Sequence, residues 1–168
     1  MRIGILSDTH GRQDRLQRAM ELLSQRQFGA VVHCGDIGSN ECLELLGQAR
    51  VEAYAVAGNT DRHIQDLVET ARRLGVDFHS EVIEVPLGDG RHLVATHGHE
   101  DGVLAELIQG KQFPYVCHGH THRFRDERMG AVRVICPGAL RQPRHPRHPT
   151  VALLDTGSDV LEQIDVPA

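Results

Sequence analysis

The stretch Ile5-Leu6-Ser7-Asp8-Thr9-His10-Gly11 contains the pattern that decides the fold, a short apolar strand that ends in a polar turn. This pattern occurs five times along the chain, each time with Gly near Asp, Asn or His. Glycine permits the sharp turn because it has no Cβ that would clash with the backbone. The other four copies are VHCGD (32–36), VAGNTD (56–61), VATHGH (94–99) and VCHGHTH (116–122).

The regions around these turns carry helix and strand patterns. Apolar residues at helical spacing predict helices over residues 14–27, 40–49, 62–74 and 103–109. Short apolar runs predict strands over 2–7, 30–34, 53–57, 81–87, 91–96, 115–117, 123–127, 132–136, 151–155 and 160–166. Strand–helix alternation favours parallel pairing in the first half, and two hairpin turns favour antiparallel pairing in the second. We therefore expect an α/β fold with two sheets packed face to face and helices outside.

Length and composition indicate a single domain over residues 1–168. The chain is 40% hydrophobic and 24% charged, which suits a globular core and excludes a disordered or collagen-like chain. No apolar run is long enough to span a bilayer, and no signal-peptide pattern precedes the first strand. The four cysteines lack the spacing of a disulfide framework, so we expect reduced thiols and a cytoplasmic location.

Charge is distributed unevenly along the chain, whose net charge is −5. The segment 123–148 contains seven arginines and two acidic residues, whereas the rest of the chain is strongly acidic. A globally acidic protein binds nucleic acid poorly, although one basic patch can steer a phosphorylated substrate. The composition therefore disfavours a nucleic-acid partner.

Seven polar side chains of the five turns are expected to meet in one small volume. In open α/β sheets the carboxyl ends of the strands converge on one edge, where ligands bind. Two carboxylates, one amide and four imidazoles suit a pair of borderline divalent metals. A carboxylate that reaches both ions would hold them about 3.5–4 Å apart, the spacing of two-metal hydrolytic sites. The seven residues are Asp8, His10, Asp36, Asn59, His97, His120 and His122.

In this order and context, the five segments resemble the calcineurin-like metallophosphoesterases over nearly the whole chain. The resemblance is greatest to the compact bacterial and archaeal phosphodiesterases, which have little beyond the core fold. It implies a four-layer α-β-β-α sandwich of two mixed sheets. It also implies that one metal is held by Asp8, His10 and His122.

The same resemblance implies that the other metal is held by Asn59, His97 and His120, and that Asp36 bridges the two ions. We expect two divalent ions, with manganese favoured over nickel, iron or zinc. In such a site a hydroxide that bridges the ions attacks phosphorus in line, while the ions stabilise the transition state. The implied function is hydrolysis of a P–O bond in a small phosphoester, and the resemblance alone favours a diester over a monoester.

Two positions depart from wider family patterns. Many larger relatives carry a histidine directly after the motif Asn, in the position of a general acid, whereas Thr60 follows Asn59 here. His99, two residues after His97, is our candidate for that proton donor, and an ordinary loop histidine is the alternative interpretation. The segment CPGA (136–139) stands where close relatives have Asn-Pro-Gly-Ser, which indicates altered hydrogen bonding at that turn.

The segment 141–149, rich in Arg, His and Pro, has two interpretations. The plainer one is a stiff, solvated basic loop. The functional one is a lid beside the metal edge, in which Arg141 or Arg144 binds phosphate oxygens bidentately.

Five residues near the motifs are expected to have structural roles. His33 and His118 lie inside strands and are predicted to be packed neighbours of the site. Cys34 and Cys117 are predicted to be small buried hydrophobes. Asp61 is predicted to cap the helix that follows it.

Other function classes stay open at this point. The retromer subunit with this fold serves as an interaction platform and resembles a phosphoesterase whose metal set has been eroded. All seven presumed ligands are present here, which favours the enzyme over a non-catalytic scaffold. A phosphomonoesterase and a nuclease are further alternatives, although the chain lacks the extra domain and basic groove that grip a duplex. The sequence also leaves a homo-oligomer open.

Overall fold

The computed structural model describes residues 1–167, and their helices and strands follow the predicted order closely. The elements are β1 (Arg2–Leu6), α1 (Gln13–Ser24), β2 (Ala30–Cys34), α2 (Asn40–Gly47), β3 (Glu52–Val56), α3 (Ile64–Leu74), β4 (Asp77–His79), β5 (Val82–Pro86), β6 (His92–Thr96), α4 (Asp101–Gly110), β7 (Tyr115–Cys117), β8 (Phe124–Met129), β9 (Val132–Pro137), β10 (Thr150–Asp155) and β11 (Val160–Asp165).

The first sheet brings the two ends of the chain together. Its strand order is β11-β10-β1-β2-β3-β4, and β1 to β4 are parallel to one another. A helix connects each parallel pair, because a chain needs a long crossover to start the next strand at the same end. β10 pairs antiparallel with both β1 and β11. The carboxyl ends of β1, β2 and β3 therefore lie side by side at one edge.

The second sheet has the order β5-β6-β7-β9-β8. The antiparallel pairing predicted for this half holds for β5–β6 and β8–β9 but is wrong for β6–β7 and β7–β9, which are parallel. The physical reason is that α4 connects β6 to β7 as a crossover, so that β7 begins at the same edge of the sheet as β6. Strand β8 then occupies the edge beyond β9, so that β9 can run alongside β7.

Three apolar clusters define the layers of the fold. The largest packs α1, α2 and α3 on the outer face of the first sheet, around Leu16, Leu43 and Leu67. A second cluster fills the space between the two sheets, and a third packs α4 against Val94 and Val116 on the outer face of the second sheet. The predicted four-layer α-β-β-α sandwich of two mixed sheets is thereby confirmed.

Some element boundaries differ from the prediction. The short edge strand β4 was missed, since three residues with only partial burial leave no clear apolar pattern. The first helix ends at Ser24 rather than at residue 27. Within residues 1–167, no helix combines the length and the apolar character that crossing a bilayer requires.

Candidate metal centre

The two sheets contribute complementary halves of one polar site. From the first sheet, Asp8 and His10 follow β1, Asp36 follows β2 and Asn59 follows β3. The second sheet contributes the turns after β6 and β7, which carry three further histidines. These are His97, His120 and His122. The contacts below bring all seven predicted residues into one network.

One group of donors surrounds the carboxylate of Asp8. Its Oδ1 lies 3.1 Å from His122 Nε2 and 3.9 Å from His10 Nε2. The two imidazole Nε2 atoms are 3.5 Å apart. These three residues offer ligand atoms close enough together to hold one metal ion.

A second group surrounds Asn59 at the other side of the site. Asn59 Oδ1 lies 3.0 Å from His97 Nε2 and 3.1 Å from His120 Nδ1. One amide oxygen and two imidazole nitrogens therefore converge, which is the donor set expected for the second ion.

Asp36 lies between the two groups. Its Oδ2 is 3.5 Å from His10 Nε2 and 3.4 Å from His97 Nε2, so one carboxylate oxygen faces an imidazole of each group. Asp36 also forms a compact cluster of possible ligands with Asp8 and His97. Both carboxylates are thus placed where they could contact two ions, while the bridging role of Asp36 stays a prediction.

The donor set fits a metal for a reason independent of spacing. Asp8 Oδ1 is buried and has no hydrogen-bond partner among the described residues. An unpaired buried polar atom costs about 1–3 kcal/mol, and more for a charged group. A cation beside this oxygen would remove that cost, and the neighbouring imidazole nitrogens are ligands that divalent metals accept.

Backbone carbonyls orient two of the rings. His97 Nδ1 donates to the carbonyl of Cys34 at 2.8 Å, and His122 Nδ1 donates to the carbonyl of Gln142 at 3.0 Å. A proton on Nδ1 leaves Nε2 free as the coordinating atom, the usual arrangement around a metal-binding histidine.

The charges of the two carboxylates shift the pKa values of the histidines. Burial opposes the protonated form of His97, but hydrogen bonding and the charge of Asp36 outweigh burial and raise its pKa. The carboxylate of Asp8, whose Oδ1 lies 3.1 Å from His122 Nε2, raises the pKa of His122. Burial lowers the pKa values of His10 and His120. The site therefore concentrates negative charge that cations can neutralise.

The backbone of the turns is conformationally demanding. Five of the seven predicted ligands have left-handed backbones with φ between 46° and 65°. Such residues cost of order 1–3 kcal/mol each and persist only where surrounding contacts enforce them. Several backbone hydrogen bonds supply that enforcement, including His10 N to the carbonyl of Asp36 at 2.8 Å. The five residues are Asp8, His10, Asp36, His120 and His122.

Asp61 has a role that the sequence interpretation got wrong. It was predicted to cap the following helix, but His63 occupies the N-cap of α3. The buried carboxylate of Asp61 instead accepts the backbone N–H groups of Ile37, Gly38 and Gly58, at 3.1, 2.8 and 2.8 Å. It thereby ties the turn after β2 to the turn after β3. The signal that could have indicated this role is the position of Asp61 in the turn after β3, which is predicted to lie beside the turn after β2.

The residues predicted to be structural neighbours are packed as expected, although His118 directly follows β7 and does not lie inside a strand. His33 is fully buried, its Nε2 lies 2.7 Å from Thr9 Oγ1, and burial lowers its pKa to about 4. His118 is also buried, and its Nδ1 lies 3.0 Å from the carbonyl of Gly119. Cys34 and Cys117 are buried free thiols, and burial raises the pKa of each.

The three remaining candidates, His99, Arg141 and Arg144, all lie at the rim of the site. The ring of His99 is 5.4 Å from that of His97 and 6.2 Å from that of His120, measured between centroids. Arg141 N donates to the carbonyl of Asp8 at 2.9 Å, and Arg144 N donates to the carbonyl of His122 at 2.8 Å. The backbone of the basic segment is therefore attached to two predicted ligand residues.

Comparison with known proteins gave one consistent result. Residues 1–159 match the model of the calcineurin-like phosphoesterase superfamily domain. Phosphodiesterase MJ0936 of Methanocaldococcus jannaschii is 31% identical over 165 residues, covering 98% of this chain and 98% of that protein. The solved structure of a novel archaeal phosphodiesterase has 30% identity and a TM-score of 0.88, covering 98% of this chain and 99% of its own. Vps29 of Chaetomium thermophilum shares the fold alone, with 15% identity, a TM-score of 0.71 and coverage of 99% and 100%.

Close contact between the turns predicts a severe effect of Gly119→Ala. A Cβ at this position would overlap Ser7 Oγ and lie 2.7 Å from the carbonyl oxygen of Cys34 and 2.8 Å from Asp8 Oδ2. Displacing Asp8 should weaken metal binding by about 10- to 100-fold, the range for disturbed support of a ligand. Isothermal titration with Mn²⁺ measures the effect.

Gly102→Ala is the matched control, because a Cβ at that position in α4 meets no atom within 4 Å. Its metal affinity should equal that of the unchanged protein. Equal affinity in Gly119→Ala would contradict the placement of Asp8 in the metal site.

Proposed function

Since this chain belongs to the calcineurin-like phosphoesterase superfamily and is a metal-dependent phosphoric ester hydrolase, we propose that it is a phosphodiesterase with two divalent ions. The observation that carries this proposal is the position of Asp36 between His10 and His97. A carboxylate in contact with both donor groups is what a paired-ion site requires. The predicted family membership is confirmed, whereas the number of ions and the substrate are our proposals.

In the proposed mechanism the protein holds and orients the reacting groups. Two bound divalent ions would supply an activated water as nucleophile and positive charge for the phosphoryl oxygens. Asp8, Asp36 and Asn59 contribute oxygen ligands on the first sheet, and His97 Nε2 faces them from the second. The left-handed turns keep these groups in place before substrate arrives, so that little reorganisation accompanies the reaction.

The identity of the ions follows from the mixed donor set. Carboxylate and amide oxygens suit manganese, and imidazole also suits iron, nickel and zinc. We propose manganese as the preferred ion, with the other three as alternatives. Free, buried cysteines suit a reducing compartment, which supports the cytoplasm as the proposed location.

A scaffold role is the second candidate, since Vps29 has the same fold. We favour catalysis because the carboxylates, the amide and the imidazoles form one contact network here. No observation on the described residues favours a membrane, nucleic-acid or homo-oligomeric partner over a small phosphoester.

The first test of the proposed function is Asp36→Asn, which preserves shape but removes the charge shared by the two donor groups. We expect bound Mn²⁺ to fall below two ions per chain and kcat for bis(p-nitrophenyl) phosphate to drop by at least about 100-fold. Elemental analysis and a chromogenic assay with Mn²⁺, Ni²⁺, Fe²⁺, Zn²⁺ and Mg²⁺ measure both effects.

Asp77→Asn is the control for this variant, because Asp77 is exposed on the edge strand β4 and its carboxylate lies 3.5 Å from the exposed His79 Nε2. Its turnover should match that of the unchanged protein. The proposal fails if Asp36→Asn retains turnover, or if none of the metals supports hydrolysis of the diester.

Arg141 and Arg144 are proposed to bind the substrate phosphate. Their backbones are attached to Asp8 and His122, and both side chains are exposed at the rim of the site. The guanidinium charge of Arg141 adds to the lowering of the His10 pKa by burial, and that of Arg144 opposes the rise in the His122 pKa that Asp8 causes. Both charges are therefore near enough to attract a phosphate.

Replacing both arginines with alanine should raise KM for bis(p-nitrophenyl) phosphate by about tenfold, with kcat reduced less. This magnitude corresponds to the loss of one charge-assisted hydrogen bond of about 1.5–3 kcal/mol. Steady-state kinetics separate KM from kcat. Arg147→Ala, a change of an exposed residue in the same loop, is the control and should leave KM unchanged. An unchanged KM in the double variant would show that the loop is solvated and does not bind the phosphate.

His99 is proposed to protonate the leaving oxygen. Its Nδ1 is buried without a hydrogen-bond partner among the described residues, and Nε2 lies 3.6 Å from Glu100 Oε1. The ring lies near the Asn59 side of the site, beside His97 and His120. A proton donor must be within reach of the leaving group, and the position of the ring beside His97 and His120 supports this role.

His99→Gln should distinguish this role by the leaving group of the substrate. An alkoxide needs a proton as it departs, whereas p-nitrophenolate does not. We expect kcat to fall by about 100-fold for an alkyl ester and by less than about threefold for a p-nitrophenyl ester, in line with general acid catalysis. Parallel assays with the two esters measure this ratio. Equal losses on both would identify His99 as a positioning residue.

A further inference from the structure

A cleft of about 270 Å³ lies beside the metal centre, between the amino ends of α2 and α3. Gly38 and Asn40 line it on one side, Arg62, Asp66 and Leu67 on the other. The volume is close to the lower end of the range for small-molecule sites. None of the roles assigned above uses this cleft.

Thr60 forms the wall between the cleft and the predicted ligands. It lines the cleft, and its backbone N–H donates to Asp36 Oδ1 at 2.9 Å. Its hydroxyl oxygen lies 3.3 Å from His10 Nδ1. Only Thr60 therefore separates a group bound in the cleft from the proposed reaction site. A phosphoester could place its phosphate at the reaction site and one of its substituents in the cleft.

The chemistry of the cleft disfavours an anion. Asp61 already accepts the N–H groups of Ile37 and Gly38 near the start of α2. The side chain of Ser39 accepts the N–H of Cys42, and Asp66 adds negative charge to the first turn of α3. Helix amides that would otherwise attract a phosphate are thus occupied or offset. A neutral group fits this environment better.

The remaining groups suit a planar ring that can form hydrogen bonds. Asn40 Oδ1 is buried and lacks a hydrogen-bond partner among the described residues. A 180° rotation of this amide offers the cleft either a donor or an acceptor. The Asp66 carboxylate accepts hydrogen bonds, Leu67 contributes an apolar surface, and the exposed guanidinium of Arg62 can stack on an aromatic face.

We propose that the cleft binds the nucleobase of a nucleoside esterified to the substrate phosphate, and that guanine fits it best. The Watson–Crick edge of guanine carries two donors and one acceptor, which complement the Asp66 carboxylate and the Asn40 amide. The phosphate then lies at the metal centre, within reach of the basic Arg141 and Arg144. The inference rests on the proposed phosphodiesterase function and specifies its substrate class.

A kinetic comparison tests the inference with two esters that release the same p-nitrophenolate. Guanosine 5′-(p-nitrophenyl) phosphate carries the base, and methyl p-nitrophenyl phosphate does not. We expect kcat/KM to be at least about tenfold higher for the guanosine ester, the effect of one or two added hydrogen bonds. The kcat/KM for the adenosine ester should lie between these two values, because the Watson–Crick edge of adenine has fewer hydrogen-bond donors than that of guanine.

Asn40→Leu is the decisive variant, since leucine has the same branching at Cγ but no polar group, and it is tolerated in a helix. It should reduce the advantage of the guanosine ester to less than about twofold while kcat/KM for the methyl ester stays unchanged. Gln48→Leu, at the opposite end of α2, is the matched control and should retain the full advantage. Equal kcat/KM for the two esters in the unchanged protein would overturn the inference. The same holds if Asn40→Leu reduces kcat/KM for both esters by the same factor.

A binding measurement separates this inference from the proposed catalytic function. Guanosine 5′-monophosphate added to the Zn²⁺-loaded, isotope-labelled protein should shift the amide NMR signals of Gly38, Asn40 and Leu67. Inorganic phosphate should not shift them. Identical shifts with both compounds would exclude base binding even if diester turnover is present. Shifts specific to the nucleotide, without turnover of any ester, would refute the catalytic proposal and leave the cleft assignment intact.

Discussion

Contact between the turns of the two sheets is the constraint on which the site depends. The ring of His97 from the second sheet donates to the carbonyl of Cys34 in the first, at 2.8 Å. The N–H of His120 donates to Asp8 Oδ2 at 3.1 Å. Gly119 makes this approach possible, because any larger residue would displace Ser7 or Asp8. Neither sheet alone holds a complete donor set, so the site exists only where the two sheets are packed together.

The same constraint explains why charge and strain accumulate at this edge. Two buried carboxylates and four imidazoles, of which that of His97 is buried, are brought together here, and five ligand residues adopt left-handed backbones. The buried charge and the left-handed backbones both cost free energy. Hydrogen bonds between neighbouring turns offset part of this cost, including those that the Asp61 carboxylate accepts from the backbones of two turns. Bound cations would offset more of it, which is why we expect metal binding to stabilise the folded protein.

The surroundings of the site combine a basic segment and a cleft of different chemistry. Arg141 and Arg144 lie beside Asp8 and His122, whereas the cleft beyond Thr60 is lined by Asn40, Asp66 and Leu67. A substrate with one anionic group and one neutral ring matches this asymmetry. A symmetric chromogenic diester would report the reaction without using the difference, so activity on such a compound says little about the natural substrate.

Local pattern was sufficient to predict much of this protein. Five strand-end motifs predicted the set of seven polar residues and carried the resemblance to the family, because residue type and short spacing are encoded directly in the chain. The two mixed sheets were implied by that resemblance. The motifs also predicted that these residues would be near one another, since strand ends converge at a sheet edge. The assignment of ligands to each ion stays a prediction, and the contacts among them are consistent with it.

Tertiary structure decided the features that depend on residues distant in sequence. The parallel pairing of β7 with β6 and β9 follows from the path of α4 and the edge position of β8, which no local pattern reports. Asp61 was predicted to be a cap but acts as a clamp, because its partners Ile37 and Gly38 come from another turn. The sequence by itself determined which chemical groups are present, and only the packing of helices and sheets determined which of them share a cleft, because side-chain contacts form across the fold.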